Sequence, residues 1–442
     1  MRRRHWRRFG TAGAALCLLG ATAATAGAAG ATSAPHSRTE SHVSFGSHAV
    51  STVTFWSRAA TEAIPNALVK KFNATHSNLK IVLHLTQPNE ASSQLATAIR
   101  AGDPPDLVGL NDINVPAFAR EGALMNLTKL VDSLPYKSEL SPGHMKLGKI
   151  GNQYYALPYL ADLSVLWYNT KLFKEAGISG PPTTFASILA DAKKISALGH
   201  GVYGFSFAGN CQGCLGFVML PEIWASGQHL INGPLGKQTA NVANNAPLKA
   251  LLNVYRQIWA DKLVPPSDQT DNGSTWGDNF AKGIVGIEPG DYGFVTKYLT
   301  GPVKGDFKDV PLPGMNGGFS TFDGGDDFVI PKGAKNPTGA MEVIKWFLEK
   351  SQQEQYPALG DTPIRSDILS KAFVAKYPYD GVALKALHHG SVEYTLAYNQ
   401  VFNAPGSPWF KMFEQAVYSG DVPGALKSGQ ANIQSTLNSA AP

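Results

Sequence analysis

Cysteine is scarce in this chain: three residues among 442, at Cys17, Cys211 and Cys214. That excludes a disulfide-dense scaffold and a cysteine-rich metal module. Charge is low as well, with 16% Asp, Glu, Lys and Arg and a formal net charge of +5. The excess sits at the very front, where "MRRRHWRRFG" carries five arginines and residues 1–34 hold no acid, so 33 basic residues face 33 acidic ones in the remainder. A neutral chain is not built for nucleic acid or an anionic membrane surface. Long apolar runs are also missing: the stretch from Ala12 to Ala26 is short and interrupted by glycine, and no later one approaches spanning length.

Common catalytic signatures are missing too. There is no Gly-x-x-x-x-Gly-Lys-Ser/Thr phosphate loop, no Gly-x-Gly-x-x-Gly after a strand and no His-Glu-x-x-His. "GFSFAG", Gly204 to Gly209, does not match a nucleophile elbow. His388 and His389 are adjacent, diverge on any regular element and have no ligands at metal spacing, so they read as a solvated pair. No metal or cofactor is expected. Asp326 and Asp327 in "GGDDFVIP" are the strongest catalytic candidates, but neighbours on a strand point to opposite faces and cannot flank one substrate.

What is present begins with an export signal over residues 1–34: arginines, an Ala- and Leu-rich run, then small residues at Ala26, Ala29 and Ala34 suited to cleavage. The mature protein is expected to work outside the cytoplasm; attachment through a lipidated Cys17 stays open. Residues 35–50, rich in Ser, His and Thr, read as a flexible leader. In an oxidising compartment Cys211 and Cys214 of "CQGC" are expected to close a small local disulfide.

About 390 residues remain, enough for two domains. "TVTFW" (Thr52 to Trp56) alternates like a strand, and Ile64, Leu68 and Phe72 follow at helical spacing. "KIVLHL" (Lys80 to Leu85), a helix with Leu95 and Ile99, and "DLVGL" (Asp106 to Leu110) repeat the cycle. Strands alternating with helices predict an α/β fold on a mainly parallel sheet. Ligands of such sheets bind at the carboxyl ends of strands, here the polar loops "SRAAT", "TQPNE" and "NDINV". One segment stands apart. "LPYLADLSVLWYN", Leu157 to Asn169, is apolar and aromatic with a single carboxylate, Asp162, in its middle. A buried lone acid is costly, so Asp162 must find a partner or face a cavity filled by a polar ligand. Aromatic rings recur beside polar residues, at Trp56, Trp224 and Tyr292, an arrangement that suits a polyhydroxylated ligand.

Six segments in order, "TFW" with its helix, "AIRAGDPPDLVGLNDINVPAFAREGALMNL" (Ala98 to Leu127), "LPYLADLSVLWYNTKLFKEAGI" (Leu157 to Ile178), "FAKGIVGIEPGDYGF" (Phe280 to Phe294), "GGDDFVIPKGAKN" (Gly324 to Asn336) and "DTPIRSDIL" (Asp361 to Leu369), resemble the extracellular solute-binding proteins of family 1, which deliver sugars to ABC importers. The resemblance covers nearly the whole mature chain. It implies a two-lobe periplasmic-binding-protein fold of class II type, with the ligand in the cleft between lobes and closure about a hinge. Lobe one would take residues 51–160 and 324–360, and lobe two residues 161–323 and 361–442. Carried over position by position, Glu90, Asn111 and Asp112 would line the cleft from lobe one, Asp291 and Tyr292 from lobe two, Gly325 and Asp326 at the second crossover and Arg365 near the third. Asp162 would accept hydrogen bonds from ligand hydroxyls, with Trp56 and Trp224 as stacking rings. Members that bind maltose-like sugars usually carry Trp where this chain has Tyr292. The function implied is a monomeric, non-enzymatic sugar receptor partnered by an ABC permease; the alternative is a secreted glycoside hydrolase, which needs two carboxylates facing each other across the cleft.

Overall fold

The structure, a computed structural model, describes residues 50–87 and 90–440. The export signal, Cys17 and, but for Val50, the leader lie outside the described residues, as do Pro88 and Asn89 of the polar loop "TQPNE".

The first two β–α cycles form where periodicity places them. Strand β1 (Ser51–Arg58) buries Val53, Phe55 and Ser57 on one face, and helix α1 (Ala63–Thr75) buries Ile64, Leu68 and Phe72 at four-residue spacing. Strand β2 (Leu79–Thr86) and strand β3 (Leu107–Asn111) flank β1, both parallel to it, and helix α2 (Ala91–Ala101) joins them, stopped by Gly102 at φ +75°. A short helix α3 (Pro142–Leu147) precedes the long strand β4 (Leu157–Asn169). Helix α4 (Phe185–Ser196), strand β5 (Tyr203–Phe205), helix α5 (Gln212–Trp224), helix α6 (Ala246–Ala260), strand β6 (Val285–Asp291) and strand β7 (Phe307–Val310) follow. Strand β8 (Asp323–Val329), helix α7 (Pro337–Phe347), helix α8 (Pro408–Val417) and helix α9 (Val422–Ser439) complete the main elements.

The strands lie in the order β2-β1-β3-β8-β4-β6-β5, with β7 also on β4. The pairings β1 with β2, β1 with β3 and β6 with β5 are parallel, whereas β8 with β3, β8 with β4, β6 with β4 and β7 with β4 are antiparallel. The mainly parallel sheet expected from the sequence is thus a mixed one. Its cause is the course of β4 and β8, which lie antiparallel to each other between the two halves of the sheet, β8 against β3 on one side and β4 against β6 and β7 on the other.

β4 links the two halves of this sheet. Its first part pairs with β8, Asp162 lying opposite Gly324, and its second part pairs with β6 and β7, Ser164 lying opposite Asp291. Every residue of β4 is buried except Asp162 and Tyr168, which are partly exposed. The lone acid therefore falls where the strand changes partners. One hydrophobic core gathers Ile188 of α4, Leu215 of α5, Leu251 of α6 and Phe413 of α8. A second runs from Val53, Phe72 and Phe347 through Tyr159 of β4 to Phe280 and Phe307.

Candidate functional site

The polar ends of β1, β3 and β6 and the middle of β4 meet beneath a cleft with two arms of about 490 Å³ each, and Arg58, Asp162 and Asp291 line both. Arg58 stands at the end of β1 because strand alternation buries Ser57 and turns the next side chain to the opposite face. Its Nε sits 2.8 Å from one oxygen of Asp326 and 2.7 Å from the other, and its Nη2 lies 3.5 Å from Asp162 Oδ2. Asp326 is fully buried, and burial pushes its carboxyl up to about 6 against the pull of Arg58. Burial also opposes the Arg58 charge, but Asp326 and Asp162 hold the guanidinium ionised, with its pKa above the usual arginine value.

The first arm is acidic. Besides the shared trio it is lined by Glu62 at an exposed mouth and by Tyr292, Phe294, Asp361 and Thr362. Asp291 accepts the backbone N–H of Gly293, and burial with the nearby Asp162 charge pushes its carboxyl up to about 7. Asp361 accepts from the Thr362 N–H at 2.8 Å and is raised well above the usual carboxylate range by burial, then by Asp162. Thr362 Oγ1 is buried in this arm without a partner.

The second arm is aromatic. Phe217, Trp276, Phe322 and Tyr398 line it with Asn111, Asp112, Gly325 and the Cys211–Cys214 disulfide, whose Cα atoms are 5.2 Å apart. Phe217 packs edge-on to Trp276 at 6.4 Å and lies 5.0 Å from Phe322. Asp112, 1% exposed, accepts from the Ile113 N–H at 2.7 Å through Oδ1; Oδ2 has no partner, and burial raises its pKa well above the ordinary value. Asn111 Oδ1 is likewise a buried acceptor without a donor. Beneath the floor, His144 places Nδ1 2.7 Å from Asp327 Oδ1 and Nε2 2.8 Å from the Gly324 carbonyl. Burial disfavours its charge, but Asp327 carries its pKa up to about 10.

Of the residues singled out in the sequence, Asn111, Asp112, Asp162, Asp291, Tyr292 and Gly325 converge on the cleft. Tyr292 offers its ring rather than its hydroxyl, which donates to Asp380 Oδ2. Asp326 lies one layer down, holding Arg58, and Asp327 turns the other way to His144, as strand alternation requires. Four others lie elsewhere. Trp56 shares the face of Arg58 but packs on His84 at 5.4 Å and on the cluster of Leu95 and Val108. Glu90 is exposed at the start of α2, accepting from Gln94 Nε2 at 2.9 Å. Trp224 stands two helical turns beyond Phe217 and is buried behind Phe322 at 5.8 Å, its Nε1 donating to Glu393. Arg365 folds back onto Asp367, the Leu348 carbonyl and the face of Tyr136. Sequence reasoning left out Arg58, Asp361, Thr362, Phe217, Trp276, Phe322 and Tyr398. Arg58 and Asp361 stood in segments already noted, "SRAAT" and "DTPIRSDIL"; the four rings come from distant elements and leave no local pattern.

A family model described as bacterial extracellular solute-binding protein matches residues 57–354. The chain is 25% identical over 285 residues to the diacetylchitobiose binding protein DasA of Streptomyces coelicolor, covering 64% of this chain and 65% of that protein. It is 30% identical over 155 residues to the sn-glycerol-3-phosphate-binding periplasmic protein UgpB of Brucella abortus, covering 33% of this chain and 36% of that one. The fold is similar to that of the sugar-binding protein MalE of Xanthomonas citri, with a TM-score of 0.78 at 19% identity over 88% of this chain and 98% of that one.

Proposed function

Because the chain belongs to the family of bacterial extracellular solute-binding proteins, we propose that it is the extracytoplasmic receptor of an ABC importer, holding a hydroxyl-rich, sugar-like solute in the two-armed cleft and passing it unchanged to the permease. The observation that carries the ligand class is the meeting of two buried acceptors without donors, Asp112 and Asn111, and the partly exposed Asp162 beside Arg58, with the rings of Phe217, Trp276, Phe322 and Tyr398. Hydroxyls supply the missing donors, and the C–H faces of a sugar ring stack on aromatic rings. A few charge-assisted hydrogen bonds of roughly 1.5–3 kcal/mol each, with stacking, are of the order that micromolar affinity needs. A phosphate dianion, by contrast, would meet the carboxylates of the first arm with a single guanidinium that Asp326 already occupies.

The lobes are residues 51–160 with 324–360 and residues 161–323 with 361–442, and closure turns on β4 and β8. The receptor acts as a monomer outside the cytoplasm, with no enzymatic step. No helix among the described residues is long and apolar enough to cross a membrane. Asp162→Ala is expected to weaken binding severalfold to about a hundredfold, because one charged acceptor is lost, without unfolding the chain. Calorimetry that finds unchanged affinity would overturn the role given to this acid. Incubation with oligosaccharides tests the absence of catalysis: new reducing ends would make the protein a hydrolase acting through Asp162 and Asp291.

A further inference from the structure

Charge in the cleft is one-sided. Among the described residues Arg58 is the only basic side chain that lines either arm, and it is already paired with the buried Asp326. Against it stand Glu62, Asp162, Asp291 and Asp361 in the first arm and Asp112 in the second. Among the described residues Asp291, Asp361 and Asp112 form no ion pair, and each accepts only a neighbouring backbone N–H. The same arm holds an orphan hydroxyl, Thr362 Oγ1, on a residue 1% exposed. A site with surplus acceptors on three separate segments and one unpaired hydroxyl is short of donors and of positive charge.

Resting on the receptor reading above, we propose that the first arm receives a protonated amine, so that the solute is a hydroxyl-rich compound carrying an ammonium group, held by Asp162, Asp291 and Asp361 with Thr362 at its side. An ammonium brings three donors and a compact charge to a place where acceptors outnumber donors. Among the described residues no group of three or more His, Cys, Asp or Glu is arranged to hold a metal ion. A neutral sugar would leave the carboxyls to relieve their crowding by holding protons. Burial and mutual charge already raise Asp291 and Asp361. An ammonium would instead return them to the ionised form, so its binding expels protons near neutral pH.

The test is a matched series in which C2 of each ring carries an amine, an acetamide or a hydroxyl: the glucosamine disaccharide, its N-acetylated form and cellobiose, supported by glucose with glucosamine, galactose with galactosamine and mannose with mannosamine. Thermal shift and calorimetry on the mature chain give the readout. The amine member is expected to bind at least about tenfold more tightly than its neutral partners. That advantage is expected to shrink at high salt, with a buffer-dependent enthalpy that reports proton release. In the Asp291→Asn, Asp361→Asn double variant it is expected to vanish. Neutral members that bind as well as or better than the amines would overturn this proposal and leave the receptor reading standing. If no member of the series binds, both fall.

Discussion

A single side chain, Arg58, links the ligand cleft to the buried charge beneath it. It spans Asp162 at the surface and Asp326 in the interior, so its removal strands a carboxylate in a place that water does not reach. Breaking a buried pair from one side costs about 3–5 kcal/mol. Arg58→Gln is therefore expected to destabilise the protein by that order near pH 8. The loss should be smaller near pH 5, where Asp326, already raised to about 6 with its partner present, takes up a proton. Denaturant titrations at the two pH values check it, and an equal loss at both would count against the ion pair as the cause. The residue scale is also where the sequence was least legible. The acid of β4 announced itself, because one carboxylate in an apolar run demands a partner or a ligand. Arg365 and Trp224 carry the right chemistry for a cleft, yet Arg365 is used by Asp367 and Tyr136, and Trp224 by Glu393 and Phe322. Which layer a side chain occupies depends on packing between distant elements, and residue type does not encode it.

At the scale of elements, hydrophobic periodicity was a good guide. The β1–α1 and β2–α2 cycles lie where Ile64, Leu68, Phe72 and Leu95 indicated, because each helix buries one face against the sheet. Sheet direction was not legible, since a buried strand shows the same apolar run whichever way it runs. The register of β4 on β8 has a single tight point. Gly325 adopts φ +140° opposite Ala161, and a Cβ there would come within 2.2 Å of the Leu160 carbonyl oxygen. Backbone, unlike a flexible side chain, cannot step aside cheaply. Gly325→Ala is expected to cost at least about 2 kcal/mol and to lower the melting temperature. It should also disturb binding, because Gly325 lines the aromatic arm. A variant with the melting temperature of the parent would show that the crossing strands can shift apart.

For the whole molecule, buried ionisable groups set how stability depends on pH. Burial raises Asp291, Glu288 and Asp380 to about 7 and Asp268 and Asp326 to about 6, while Asp327 takes His144 to about 10 despite burial. In the unfolded chain the acids titrate near 4 and histidine near 6.5. Between about pH 4 and 7 the folded state therefore binds more protons than the unfolded one, so stability falls as pH rises through that window. His144 acts in the same direction: its contribution is complete below about 6.5 and is lost as pH rises towards 10. The ligand-free protein is expected to be most stable near pH 4, the lower edge of that window, with a melting temperature that declines steadily to pH 9. Asp291→Asn should raise stability at pH 8 and change it little at pH 5, since the variant removes a charge that the fold tolerates poorly only when it is ionised. Melting curves across the range decide the matter. A flat or rising profile would mean that the carboxyls of the cleft are ionised at little cost, and the shortage of positive charge there would no longer call for a cation from the ligand.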